Sequence, residues 1–212
     1  RLYDAYGDLL SLRFPGQPLR VVVHRHRDDF RRALEKVMPG HASWAAFYDA
    51  TTGTVHVSTE PAPRGALPLI ADLRHEMTHQ ILDLSRERKL RGPPRTHVWL
   101  WEGIAVHAET LGDELGEDTG RMRRERFQRR RARGEVTPLR ELFRLDARRL
   151  EGRHYDQLQS LLAFLLGDGM PRSRDATLAT LRAMLLGAEV PSAFLRRMRV
   201  DADTIERAWL AA

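Results

Sequence analysis

The stretch Arg74-His75-Glu76-Met77-Thr78-His79-Gln80 carries two histidines four residues apart, with a glutamate directly after the first. An α-helix turns about 100° per residue, so His75 and His79 fall one above the other on one face. Both rings can then reach a single ion. Zinc takes imidazole nitrogen readily, and a catalytic zinc keeps three protein ligands and one open position for water. Glu76 projects to the edge of that face, where a carboxylate can take a proton from the water. The competing reading is a polar helix face, at the surface or in the core, that spells the same pattern.

A third ligand must come from elsewhere. Glu102, in Trp99-Leu100-Trp101-Glu102-Gly103-Ile104-Ala105, stands on a second apolar helix, which would clamp the metal between two rigid elements. Otherwise it is a helix carboxylate paired with a nearby arginine. Glu109 lies two turns further along the same face. There it could accept a hydrogen bond from a ligating histidine and fix its tautomer, or simply meet solvent. Trp99 and Trp101 read as core or pocket wall. His97 and His107 do not read as ligands, and His24, His26, His41, His56 and His154 have no partner at a useful spacing.

The elements that must position these residues follow from periodicity. Residues 1–13 read as an amphipathic helix, 19–24 as a β-branched strand and 28–37 as a helix. Residues 45–59 read as a hairpin turning at Thr52-Gly53, and the Pro- and Gly-rich 61–68 as a loop. Helical patterns follow at 69–84, about 98–111, after Thr137-Pro138, and at 154–166, 173–186, 191–198 and 202–211, while 121–133 reads as a charged helix or an extended basic segment. Apolar residues at Leu69, Ile70, Leu73, Met77, Ile81 and Leu84 supply the face that the first of these helices would bury. Strands come first and helices after, which predicts an α+β fold rather than alternating βαβ units.

HEMTH followed by WLWEGIAVHAE resembles the gluzincin clan of zinc peptidases, also called peptidase-MA-like. Gluzincin aminopeptidases carry Trp-Leu-x-Glu-Gly-x-Ala with a further Glu seven residues after the ligand, matched here at Trp99, Leu100, Glu102, Gly103, Ala105 and Glu109. FYDATTGTVHV upstream is similar to the strands before the metal helix in uncharacterised bacterial members of the clan. YDQLQSLLAFLL resembles the clan's Tyr-bearing helix, and IERAWLAA its closing helix. The Gly-Ala-Met-Glu-Asn strand that recognises a free amino terminus in the aminopeptidases is absent, and the spacer from His79 to Glu102 is a few residues longer than theirs. The resemblance therefore implies a zinc site without extending to aminopeptidase activity.

What the resemblance implies is a single zincin-like domain: a small N-terminal mixed sheet over the HExxH helix, in a lobe of about residues 1–97, and a mainly helical lobe from about 98 to 212. It implies a zinc metallopeptidase in which His75, His79 and Glu102 bind Zn2+ and Glu76 is the general base. Tyr155 would donate a hydrogen bond to the oxyanion, or else anchor the core. Strand 54–59 would pair with an extended peptide or protein substrate.

Composition bounds the alternatives. The 212 residues are 42 % hydrophobic and 30 % charged, without cysteine, so disulfides and thiolate metal sites are excluded. No apolar run is long enough to span a bilayer. The net charge is +6 and the pI about 10.4. The arginine-rich RMRRERFQRRRARG could make a basic binding or scaffold module that grips phosphates. Without interleaved aromatics or a nucleic-acid motif it reads better as a solvated helix, and nucleic acid as a poor partner. A start at Arg1 rather than Met reads as a fragment or processed form and points to the exported side.

Overall fold

The computed structural model describes residues 18–40, 44–60, 69–87, 90, 92, 94, 97–112, 114–167, 169–188 and 192–212. The helix expected over 1–13 and the loop over 61–68 lie outside them. The fold is α+β, with one small mixed sheet and mostly helical content. Strand β1 (Arg20–His24) is followed by helix α1 (Arg27–Val37), then by β2 (Ala46–Asp49) and β3 (Thr54–Ser58). The β2–β3 hairpin closes with Gly53 at a φ of 67°, a left-handed position that glycine adopts without a Cβ clash. The sheet order is β1-β3-β2, with β1 parallel and β2 antiparallel to β3.

This order corrects one expectation. β3 is the central strand, and both its edges are already paired, so it has no free hydrogen-bonding edge for a substrate. β2 is an edge strand instead. Ser58 donates its backbone N–H to the Ala45 carbonyl at 3.0 Å, and residue pairs in an antiparallel ladder alternate. The N–H and C=O of Ala46 and Tyr48 therefore point away from β3.

One sheet face packs on α1, where Phe30, Leu34 and Phe47 form a small apolar cluster. His24 and His56, which the sequence left without partners, meet on this face: their rings are hydrogen-bonded at 2.9 Å, and Phe47 stacks on His56. Helix α2 (Leu69–Leu84) lies on the opposite side of the sheet and touches β2 and β3. Gln80 pins it there, donating to the carbonyls of Arg20 at 3.0 Å and Gly53 at 2.8 Å.

Helix α3 (Val98–Ala108) packs against the other flank of α2 and against α6 (Gly152–Leu166). Its enclosure explains why nearly all its side chains are buried and apolar. Gly103 makes the α3–α6 crossing possible, because a Cβ there would stand 2.5 Å from Leu162 Cδ2. Helix α4 (Glu114–Ala132) lies across α6, and α5 (Leu139–Leu142), α7 (Ser173–Leu185), α8 (Ala193–Met198) and α9 (Ala202–Ala211) complete the helical part. One apolar core runs through α3 to α9 and reaches α2 at Leu82. No helix among the described residues is long and apolar enough to cross a membrane.

Candidate metal centre

The apolar stripe read from the sequence is buried only at the C-terminal end of α2, at Ile81 and Leu84. Leu69 is exposed, and Ile70, Leu73 and Met77 are only half-buried, whereas Arg74, His75, Thr78, His79 and Gln80 are buried. The helix is wedged between the sheet and α3, so its polar residues are enclosed along with Ala71, Ile81, Leu82 and Leu84. Buried polar groups must find partners or a ligand, and here they converge.

His75 Nε2 and His79 Nε2 lie 3.1 Å apart. Glu102 Oε2, arriving from α3, lies 3.3 Å from the first and 3.5 Å from the second. The three atoms make a nearly equilateral triangle. Donors about 2.0–2.1 Å from a tetrahedral metal lie about 3.3 Å from one another, so the triangle fits one divalent ion. Among the described residues this is the one group of His, Asp or Glu side chains that could hold a metal. The donor set, two imidazoles and a carboxylate, suits several first-row metals.

The rest of the surroundings differ for the two histidines. His75 Nδ1 lies 2.9 Å from Glu109 Oε1, the contact expected of Glu109. His79 Nδ1 meets no hydrogen-bond partner among the described residues. Its ring is instead stacked on Trp101, centroids 5.4 Å apart and planes 9° from parallel. Arg86 lies over the Trp101 ring at 5.7 Å, and is itself near Asp83, which accepts from Tyr48 Oη at 2.7 Å and the Gly92 N–H at 2.6 Å. Trp99 is core, packed against Phe143 and Phe194.

Charge is strongly organised here. Burial alone would lift Glu102, but His79 and His75 outweigh it and hold the carboxyl far below its ordinary range. Burial works against a proton on His75, yet Glu102 and Glu109 hold its affinity for one well above that of a free imidazole. A metal at Nε2 would compete with that proton. Glu76 is pushed up by burial, with Glu102 adding to the rise and His75, His79 and the Tyr48 N–H opposing it. A carboxylate with raised proton affinity is a stronger general base. The Tyr155 ring stands 5.9 Å from that of His75. Burial, then Glu102 and Glu76, push its hydroxyl above the ordinary tyrosine range, so it stays a donor.

Three contributors escaped the sequence reading. Asp72, one turn before His75 and Glu76, is raised to about 7 by burial and by Glu109. Arg123 and Asp156 complete a chain of ion pairs behind Glu109. Arg123 Nε and Nη2 meet Glu109 Oε2 at 2.8 and 2.5 Å, and Nη1 meets Asp156 Oδ1 at 3.0 Å. Arg123 sits one turn before Phe127, the lone aromatic of the arginine-rich run, so the face that buries Phe127 was the available signal. Elsewhere on that helix Arg121 and Arg129 are paired at the surface with Asp118 and Glu125, and the half-buried Arg131 donates to the Leu210 carbonyl. His107 is not a member of the donor group.

No family model matches the chain, and neither does any curated protein or solved structure.

Proposed function

We propose that the chain is a zinc-dependent hydrolase of gluzincin type, a metallopeptidase acting on peptide or protein substrates. The observation that carries this reading is the donor triangle of His75, His79 and Glu102 with Glu76 at its side. A scaffold that only held a metal would have no use for a buried carboxylate poised as a base. Zinc is favoured because two imidazoles and one carboxylate, without thiolate, are a ligand set of catalytic zinc.

When bound, the metal supplies Lewis-acid polarisation of a carbonyl and a water acidic enough to ionise near neutrality. Glu76 takes the water's proton and passes it to the departing amine. Tyr155 donates its hydroxyl proton in a hydrogen bond to the developing oxyanion. Ala46 and the Tyr48 carbonyl, on the outward edge of β2, offer backbone groups to an extended chain. The Tyr48 N–H already bonds to Glu76, which puts that edge beside the base. In this reading the sheet and α1–α2 form one lobe of a single zincin-like domain and the helices from α3 onward the other.

The test is hydrolysis of a peptide library by zinc-loaded protein beside Glu76→Gln. The variant should keep its metal and lose activity by roughly 100-fold or more. Equal activity in both proteins would defeat the mechanism.

A further inference from the structure

Arginine 123 stands apart from its neighbours on α4. Arg121, Arg124 and Arg129 are exposed, while Arg123 is 5 % exposed. A guanidinium stays charged at any ordinary pH, and taking it out of water is costly unless anions and hydrogen bonds offset the loss. Glu109 and Asp156 provide that offset, from α3's C-terminal end and from α6.

The geometry of the contact divides Glu109 into two halves. Oε2 is held by two nitrogens of the Arg123 fork, at 2.8 and 2.5 Å. Oε1 is left for His75 Nδ1, at 2.9 Å. Asp156 occupies Nη1 at 3.0 Å, so the guanidinium is held from both ends. An ionised carboxylate only accepts hydrogen bonds, so His75 Nδ1 carries the hydrogen. The lone pair of the neutral ring is then on Nε2, the atom in the donor triangle. Glu109 also lies at the very end of α3, where a side chain without a second anchor could turn away from His75.

We propose that Arg123 is a positioning residue: acting through Glu109, it fixes the tautomer and ring orientation of His75 and thereby sets the metal affinity of the site. The inference rests on the metal-site reading above. It assigns a function to one member of the arginine-rich segment that the chemistry of hydrolysis does not need. Lysine could supply the charge but not the fork, so charge alone does not fulfil the role.

The experiment measures zinc affinity by chelator competition in the full chain for wild type, Arg123→Met, Arg123→Lys, Glu109→Gln and the Arg123→Met/Glu109→Gln double variant. Far-UV circular dichroism and thermal unfolding check each fold. Outer partners of a ligating histidine are worth roughly 10–100-fold in affinity. Arg123→Met and Glu109→Gln should each lose that much, Arg123→Lys should recover only part, and the double variant should be no weaker than Glu109→Gln alone. Losses that multiply in the double variant, or wild-type affinity in a folded Arg123→Met or Arg123→Lys, would overturn the proposal. Nitrogen-15 NMR of the His75 ring gives a second reading, with zinc bound or, without it, at a pH where the ring is neutral. A protonated Nδ1 is expected in wild type, with its signal shifted in Arg123→Lys. An Nδ1 without its hydrogen in wild type would also overturn it. If wild type shows the Nδ1–H but takes no zinc, the metal-site reading fails while the Arg123–Glu109–His75 relay stands.

Discussion

His75 and His79 sit one turn apart on the same helix, and the protein holds them by different physics. His75 is oriented by charge. A carboxylate grips its outer nitrogen, an arginine grips the carboxylate, and a second carboxylate grips the arginine. His79 is oriented by shape, through a near-parallel indole, and its outer nitrogen has no partner among the described residues. A charge relay is directional but depends on every member being paired. A stacked wall tolerates change in protonation but gives no preference between tautomers. The two ends should therefore respond differently to substitution, the first in metal affinity and the second in stability.

The largest effect expected is removal of a ligand from either end. His75→Ala and His79→Ala should each lower zinc affinity by far more than any change behind them, since three protein ligands are the minimum of a catalytic site. Titration with zinc reads this directly, and near-wild-type affinity in either variant would dissolve the comparison.

Next come the supports. Glu109→Gln should weaken zinc binding by roughly 10–100-fold. Trp101→Leu should instead cost about 2–3 kcal/mol of stability through the cavity it leaves, with a far smaller change in affinity. Denaturant unfolding and chelator competition on both variants would separate the two. Equal affinity losses at the two ends would show that the supports are equivalent.

The helix packing that carries Glu102 to both histidines gives a smaller effect. Gly103→Ala sets a Cβ 2.5 Å from Leu162 Cδ2 on α6, which should cost about 1–3 kcal/mol by overpacking. The displaced α3 should also carry Glu102 off the triangle, so metal affinity falls together with the melting temperature.

The smallest effect is a pH dependence on the His75 side. Asp72 binds its proton up to about pH 7 in the folded chain, but in an unfolded chain only to about pH 4. The folded state thus holds more protons between those values, and stability falls as pH rises through that window and levels off above it. Asp72→Asn should remove a pH-dependent loss on the order of 1–2 kcal/mol, after screening of a half-buried group. Chemical denaturation at pH 5 and pH 8 would measure it, and an unchanged pH slope in the variant would count against the assignment.

Much of this was legible in the chain because the strongest signals are local. The hairpin, the β-branched strand and helix α2 come from periodicity and turn residues, and the His75, His79 and Glu102 grouping from spacing on helices. What was misread or missed depends on neighbours. The apolar stripe of α2 held at Ile81 and Leu84 but not at Leu69, because periodicity cannot know that both flanks of a helix will be covered. β3 was given to a substrate because a hairpin does not say which strand a later sheet makes central; the parallel pairing with β1 decides that. Helix α4 begins at Glu114, ahead of the expected 121. Gly116 and Gly120 look like breakers, yet they allow close approach to the Leu111 carbonyl and Thr110. Arg123 was hidden among arginines of the same type, since its burial comes from Glu109 and Asp156, which are distant in sequence.

The central claim is that His75, His79 and Glu102 hold a catalytic zinc, and metal content tests it most directly. Elemental mass spectrometry on protein purified without added metal, beside His79→Ala/Glu102→Ala, should find about one zinc per chain in wild type and none in the double variant. Little or no metal in a folded wild type, even after zinc is offered, would contradict the account and leave the triangle as a buried ion-paired helix contact.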